Sequence, residues 1–150
     1  ARYATMARKT HGYAIRATQA EKMYLAARSS AAPCTYCGMP ADSIDHIPPR
    51  AYREFIAAQG LQARYPFIEV MSCRECNSAL GARALWTVPL RKQRIVAYLK
   101  RKYAKYLAIP DWTPAEAEEM GDGVLGSYIR EGLIVRDVTR DRIKRAEGKT

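Results

Sequence analysis

Four cysteines fall into two CxxC pairs, Cys34-Thr35-Tyr36-Cys37 and Cys73-Arg74-Glu75-Cys76. Each CxxC turn offers two sulfurs, and two such turns supply the four thiolates that hold Zn²⁺ at about 2.3 Å. Gly38, directly behind the first pair, suits the tight turn of a metal knuckle. A four-thiolate site has no open position, so the zinc expected here is structural. The first nine residues carry charge with no apolar run behind them, so no secretory signal is expected there. Without one, four cysteines read as a metal site rather than a disulfide framework.

Between the pairs lies Ile44-Asp45-His46-Ile47-Pro48-Pro49, and Asn77 follows Cys76 directly. Asp and Asn offer hard oxygen ligands of the kind Mg²⁺ takes. His titrates near neutral pH and can accept a proton from water. Asp45 and His46 are adjacent, so a regular strand would turn them to opposite faces. A bend at Pro48-Pro49 would be needed to bring both to one ion.

The run CxxC, then DHxxP, then CxxCN resembles the HNH endonucleases of the zinc-stapled ββα-metal type. The wording "CTYCG…IDHIPPR…EVMSCRECNSALG" is especially similar to small HNH proteins of bacteriophages. The resemblance covers Cys34 to about Trp86, a third of the chain, and extends more weakly through "RKYAKYLAIPDWT". It implies metal-dependent hydrolysis of DNA phosphodiester bonds, one strand cut per active site. It makes His46 the general base, and Asp45 and Asn77 the ligands of a catalytic Mg²⁺ or Mn²⁺. Two positions depart from the family pattern. Its middle Asn falls where Ile68 or Glu69 stands, and its frequent Lys three residues after the final Asn is Leu80. Arg50, Arg74 or Arg83 would then supply the phosphate contact. Two rival functions follow: a nuclease resolving branched DNA such as four-way junctions, and a catalytically weak zinc module binding nucleic acid within a phage assembly.

Charge supports a polyanionic partner. The 150 residues carry a net +10, with a pI near 9.7, a balance typical of nucleic-acid binders. The charge is uneven. Residues 1–33 hold six Lys/Arg against one Glu, residues 34–87 hold five of each sign, and residues 88–107 hold seven bases and no acid. Residues 108–126 hold five acids and no base. The expected DNA surface therefore adds Arg91, Lys92, Lys100, Arg101, Lys102 and Lys105 to the three arginines above. No apolar run is long enough to span a bilayer, so no membrane partner is expected. DNA, a second copy of the chain or a phage protein are the expected partners, in the cytoplasm of an infected bacterium.

These groups need a scaffold, and the fold class expected is α+β: a small zinc-stapled ββα-metal core with flanking helices. Residues 1–33 read as a basic N-terminal arm and a helix from Tyr13 to Arg28. Residues 34–87 form the core, with a strand ending near His46, a short helix over 50–60, a strand from Phe67 to Met71 and a helix over 77–84. Residues 88–150 follow as a basic helix, an acidic helix and a basic tail. Thr87 with Pro89 marks the start of the basic helix, expected to run to Leu107 with Ile95, Leu99 and Tyr106 on its apolar face. Thr113-Pro114-Ala115-Glu116 forms a capping box for the acidic helix. A further helix is expected from Val124 to Val135, broken by weak propensity at Gly126 and Gly132, with the tail beginning at Thr139. Trp86 and Trp112 are expected to pack between the zinc module and the C-terminal helices.

Overall fold

The computed structural model describes residues 18–149. The basic arm over 1–12 and the start of the first predicted helix lie outside the described residues. Helix α1, Gln19–Ala27, begins at Thr18, whose side chain caps Glu21 N–H while the Glu21 carboxylate accepts the Thr18 N–H at 2.6 Å. This capping box sets the start of α1.

Two strands follow. Ser43–Ile47 (β1) and Ile68–Ser72 (β2) pair antiparallel, with Ser43 opposite Ser72, Asp45 opposite Val70 and His46 opposite Glu69. Between them runs α2, Arg50–Ala58, and after β2 comes α3, Arg74–Leu80. The order β1-β2-α3 supplies the strand hairpin and helix expected of an α+β core. Helix α3 starts at Cys73 rather than at Asn77, because Cys73 is its N-cap and its Sγ accepts the Cys76 N–H at 3.4 Å.

The C-terminal half is helical. Thr87 caps α4, Val88–Lys102, which breaks at Tyr103 into the short α5, Ala104–Leu107. Thr113 and Glu116 form the predicted box at the head of α6, Pro114–Glu119. Helix α7 then runs unbroken from Val124 to Ala146, past both glycines and through most of the segment expected as a tail. Thr139, Arg142, Ile143 and Ala146 are buried there, so the segment belongs to the core.

The main core gathers around the cysteines. All four lie in one buried cluster with Met23 of α1, Leu80 of α3, Ile95 and Leu99 of α4, and Ile134, Val135 and Ile143 of α7. Helix α7 touches α1, α4, α5 and α6 and closes the molecule. A satellite cluster of Ala117, Ile129 and Leu133, joined by Trp112, sits under α6. Among the described residues, no helix is long and apolar enough to cross a membrane.

Candidate functional site

The two CxxC turns meet. The sulfurs of Cys34, Cys37, Cys73 and Cys76 all lie within 4.8 Å of one another, and all four residues are buried. Tetrahedral Zn–S bonds of about 2.3 Å put neighbouring sulfurs about 3.8 Å apart, and Cys37 and Cys73 Sγ are 3.7 Å apart. The first knuckle closes by Gly38 N–H donating to Cys34 O at 2.9 Å, with Gly38 at φ +77°. That left-handed turn favours glycine, and a Cβ at Gly38 would also collide with the Arg145 side chain. Hydrogen bonds from Cys37, Cys73 and Cys76 hold the Cys34 thiol far below its ordinary range. Hydrogen bonds to Cys34, Cys37 and Cys73, then burial and the Cys37 charge, push Cys76 upward. A dication resolves that conflict, so four thiolates in this arrangement fit a metal ion.

Two groups that sequence reasoning missed surround the cluster. Arg142 of α7 is buried beside Cys37, with its Nη2 3.0 Å from Glu75 Oε2. The approach is a charge contact, since neither Nε nor Nη2 of Arg142 forms an aligned hydrogen bond. Burial opposes the Arg142 charge, but Cys37 and Glu75 hold it on. Glu75, from inside the second knuckle, also accepts from Tyr103 Oη at 2.8 Å and Lys102 Nζ at 3.1 Å. Its own burial resists ionisation most, yet Arg142, Tyr103 and Lys102 together keep its carboxyl below the ordinary value. One carboxylate thus ties the knuckle to α4 and α7.

The predicted catalytic residues separate. Strand β1 stays regular, so Asp45 and His46 face opposite sides of the hairpin. Asp45 turns inward and is buried. Arg91 Nη2 donates to its Oδ1 at 2.9 Å and Arg91 Nε to its Oδ2 at 3.0 Å, while Tyr36 Oη donates to Oδ2. Burial, then the Asp45 charge, raises the Tyr36 phenol well above its ordinary value, so it remains a donor. Each carboxylate oxygen thus accepts at least one hydrogen bond. Asn77 lies in the middle of α3, its Nδ2 donating to Ser43 Oγ at 3.3 Å and, at 3.5 Å, reaching Ile44 O. It pins the helix to β1.

His46 faces outward, next to Ile44 on its own strand and Glu69 and Met71 on β2. Glu69 Oε1 lies 3.1 Å from His46 Nε2, and Arg50 Nη2 lies 2.9 Å from the same nitrogen. The sequence marked Glu69 only as a substitute for an expected Asn. In the structure it is the carboxylate beside His46. Asp45 and His46 therefore lie on opposite faces of the strand pair, and nothing in this arrangement supports a catalytic Mg²⁺ or Mn²⁺ held by Asp45 and Asn77.

The expected DNA surface is also redrawn. Arg91 is 0% exposed, an internal counter-ion for Asp45 rather than a phosphate contact. Lys102 pairs with Glu75, and Lys100 pairs with Glu147 at 3.4 Å, so part of the α4 charge is spent within the fold. Lys105 lies over the Tyr106 ring and Lys92 is half-buried, while Arg101 is exposed. Arg50, Arg74 and Arg83 are exposed, as expected. Trp86 packs with Tyr52, Phe55 and Tyr65 instead of the C-terminal helices. Comparison with protein-family models, with curated proteins and with solved structures returns no match for this chain.

Proposed function

We propose that this protein is a zinc-stapled endonuclease of the HNH kind that hydrolyses DNA phosphodiester bonds, with His46 as the base that takes the proton from the attacking water. The observation that carries the reading is the position of His46. It stands at the end of β1 on the open face of the hairpin, with Arg50 and Glu69 within hydrogen-bond reach of Nε2. Arg50 is a forked cation suited to a phosphate oxygen. When DNA binds, its guanidinium would turn from His46 to the scissile phosphate and leave the imidazole lone pair to water. Zinc at Cys34, Cys37, Cys73 and Cys76 holds the hairpin and α3 together and takes no part in the reaction. The family's catalytic Mg²⁺ or Mn²⁺ has no converged ligand set here, so no step is assigned to it. A phage origin and a host-cytoplasm location fit the same resemblance.

A second reading has its own support. Asp45 is locked by Arg91 and Tyr36, which favours a zinc module that binds nucleic acid without cutting it. Supercoiled plasmid incubated with the purified protein, with Mg²⁺, with Mn²⁺ and with neither, separates the two. Nicked circles from wild-type protein, reduced about 10²–10⁴-fold in rate by His46→Ala with unchanged DNA affinity, are expected for the nuclease. Intact plasmid under every condition, with salt-sensitive binding retained, would establish the binding module. A preference for four-way junctions over duplex would identify the branched-DNA nuclease.

A further inference from the structure

Helix α2 and the loop behind it make a lobe of unusual composition. Of the α2 residues only Ile56 is buried. The lobe is held instead by rings. Tyr52 and Phe55 from α2 and Tyr65 from the loop all meet Trp86, with centroids 5.6, 6.3 and 5.2 Å away. Arg53 covers Phe67 at 4.9 Å, and Arg64 covers Tyr65 at 5.4 Å. Phe55 remains 53% exposed on top of this assembly. Phe55 meets the Trp86 ring and still presents an open aromatic surface on which a planar group can stack.

The charges say what kind of group that is. Residues 50–67 contain Arg50, Arg53 and Arg64 against the single acid Glu54. Arg50, Arg53 and Arg64 lie against His46, Phe67 and Tyr65 rather than against a carboxylate. By contrast Arg91, Arg130, Arg136 and Arg142 all pair with carboxylates. Arginines without a carboxylate partner therefore share this lobe with exposed and half-buried rings. Its first residue, Arg50, touches His46. An apolar protein partner would match the rings but would strand the arginines. A duplex would match the arginines but keeps its bases stacked inside. A strand with an unpaired base satisfies both, with phosphates on the arginines and the base face on a ring.

The geometry points to the α2 lobe as a platform for an unstacked nucleobase, with Phe55 as the stacking ring and Arg50, Arg53 and Arg64 on the flanking phosphates. This inference rests on the nucleic-acid reading above and narrows its substrate to single-stranded or distorted DNA.

The test is fluorescence-anisotropy binding by the full zinc-loaded chain. The probes are a labelled single strand of mixed sequence and the blunt duplex of that sequence. Phe55→Ala should weaken single-strand binding about tenfold, the scale of one lost stacked base, and change duplex binding less than twofold. Phe55→Trp should restore the single-strand affinity. Because Phe55 is exposed, both variants should keep the wild-type circular dichroism and zinc content. No loss with Phe55→Ala, or an equal loss on both probes, would overturn the platform and leave the nucleic-acid reading standing. A wild-type protein that binds neither probe would overturn that reading and the platform together. If Phe55→Ala fails to fold, Arg53→Gln with Arg64→Gln takes its place. That pair should reduce the salt dependence of single-strand binding, and an unchanged salt slope would overturn the platform.

Discussion

At Asp45 a single side chain decides between two chemistries. A carboxylate that ligates a metal must turn a lone pair toward the ion. Here Arg91 and Tyr36 take both oxygens in a buried, charge-assisted set. Removing one partner of a buried pair leaves the other charge uncompensated, which typically costs about 3–5 kcal/mol. Asp45→Ala should therefore lower unfolding stability by about that amount, and Arg91→Ala should do the same. The double variant should cost less than the two added together, since neither charge is then orphaned. A metal ligand would behave differently, because its loss would lower metal affinity and leave stability nearly intact. Chemical denaturation of the two single variants and the double variant measures the difference. Arg91 was open to recognition in the sequence: it stands four residues before Ile95 and eight before Leu99, on the buried stripe of α4. Its charge points to a phosphate contact, whereas its helical spacing from Ile95 and Leu99 points inward.

At the scale of elements, what could be read depended on whether local chemistry and tertiary packing agreed. Thr87 and Thr113 cap α4 and α6 with their own side chains, so those starts are written in a few neighbouring residues. The second strand was likewise legible from its apolar residues, and the CxxC turns from their spacing. Helix α7 was not. Gly126 and Gly132 lower its intrinsic propensity, and by propensity alone they divide it. Both are buried, and their lack of a side chain is what the fold uses. A Cβ at Gly126 would run into the backbone oxygen of Gly121, and one at Gly132 into Ile109. Gly126→Ala should thus destabilise the protein, by about 1–3 kcal/mol as for other overpacked sites. An exposed helix position would instead gain up to about 1 kcal/mol from the same change. A rise in the thermal midpoint would show that the turn before α7 yields to the added methyl group. The far end of α7 escaped notice for a related reason. Its lysines and arginines read as a tail, while its apolar residues fall at helical spacing on the face that meets the cysteine core.

For the molecule as a whole, the cysteine cluster is not an appendage beside a hydrophobic core but its centre. Leu80, Leu99, Ile134 and Ile143 pack in one cluster with the four thiols, and Glu75 and Arg142 join the second knuckle to the last helix. This coupling could not be read from the two motifs, because Glu75 and Arg142 are 67 positions apart and neither carries a local signal. Its consequence concerns metal removal. Thiolates that lose their cation and take up protons leave the buried Arg142 with Glu75 but without the Cys37 charge. Structural zinc contributes on the order of 10 kcal/mol to the folding of small domains, comparable to the total stability of a domain this size. A strong chelator should therefore unfold the chain well beyond the knuckles, and Cys76→Ser should do the same at every zinc concentration. Far-ultraviolet circular dichroism would then show the loss of α1, α4 and α7 together, and Trp86 and Trp112 fluorescence should follow one common transition. Acid should imitate the chelator, since the ligands bind zinc only as thiolates. Helix α7 holding its full signal after zinc is stripped would show that α7 folds on its neighbours alone. In that case the metal would staple only the hairpin to α3.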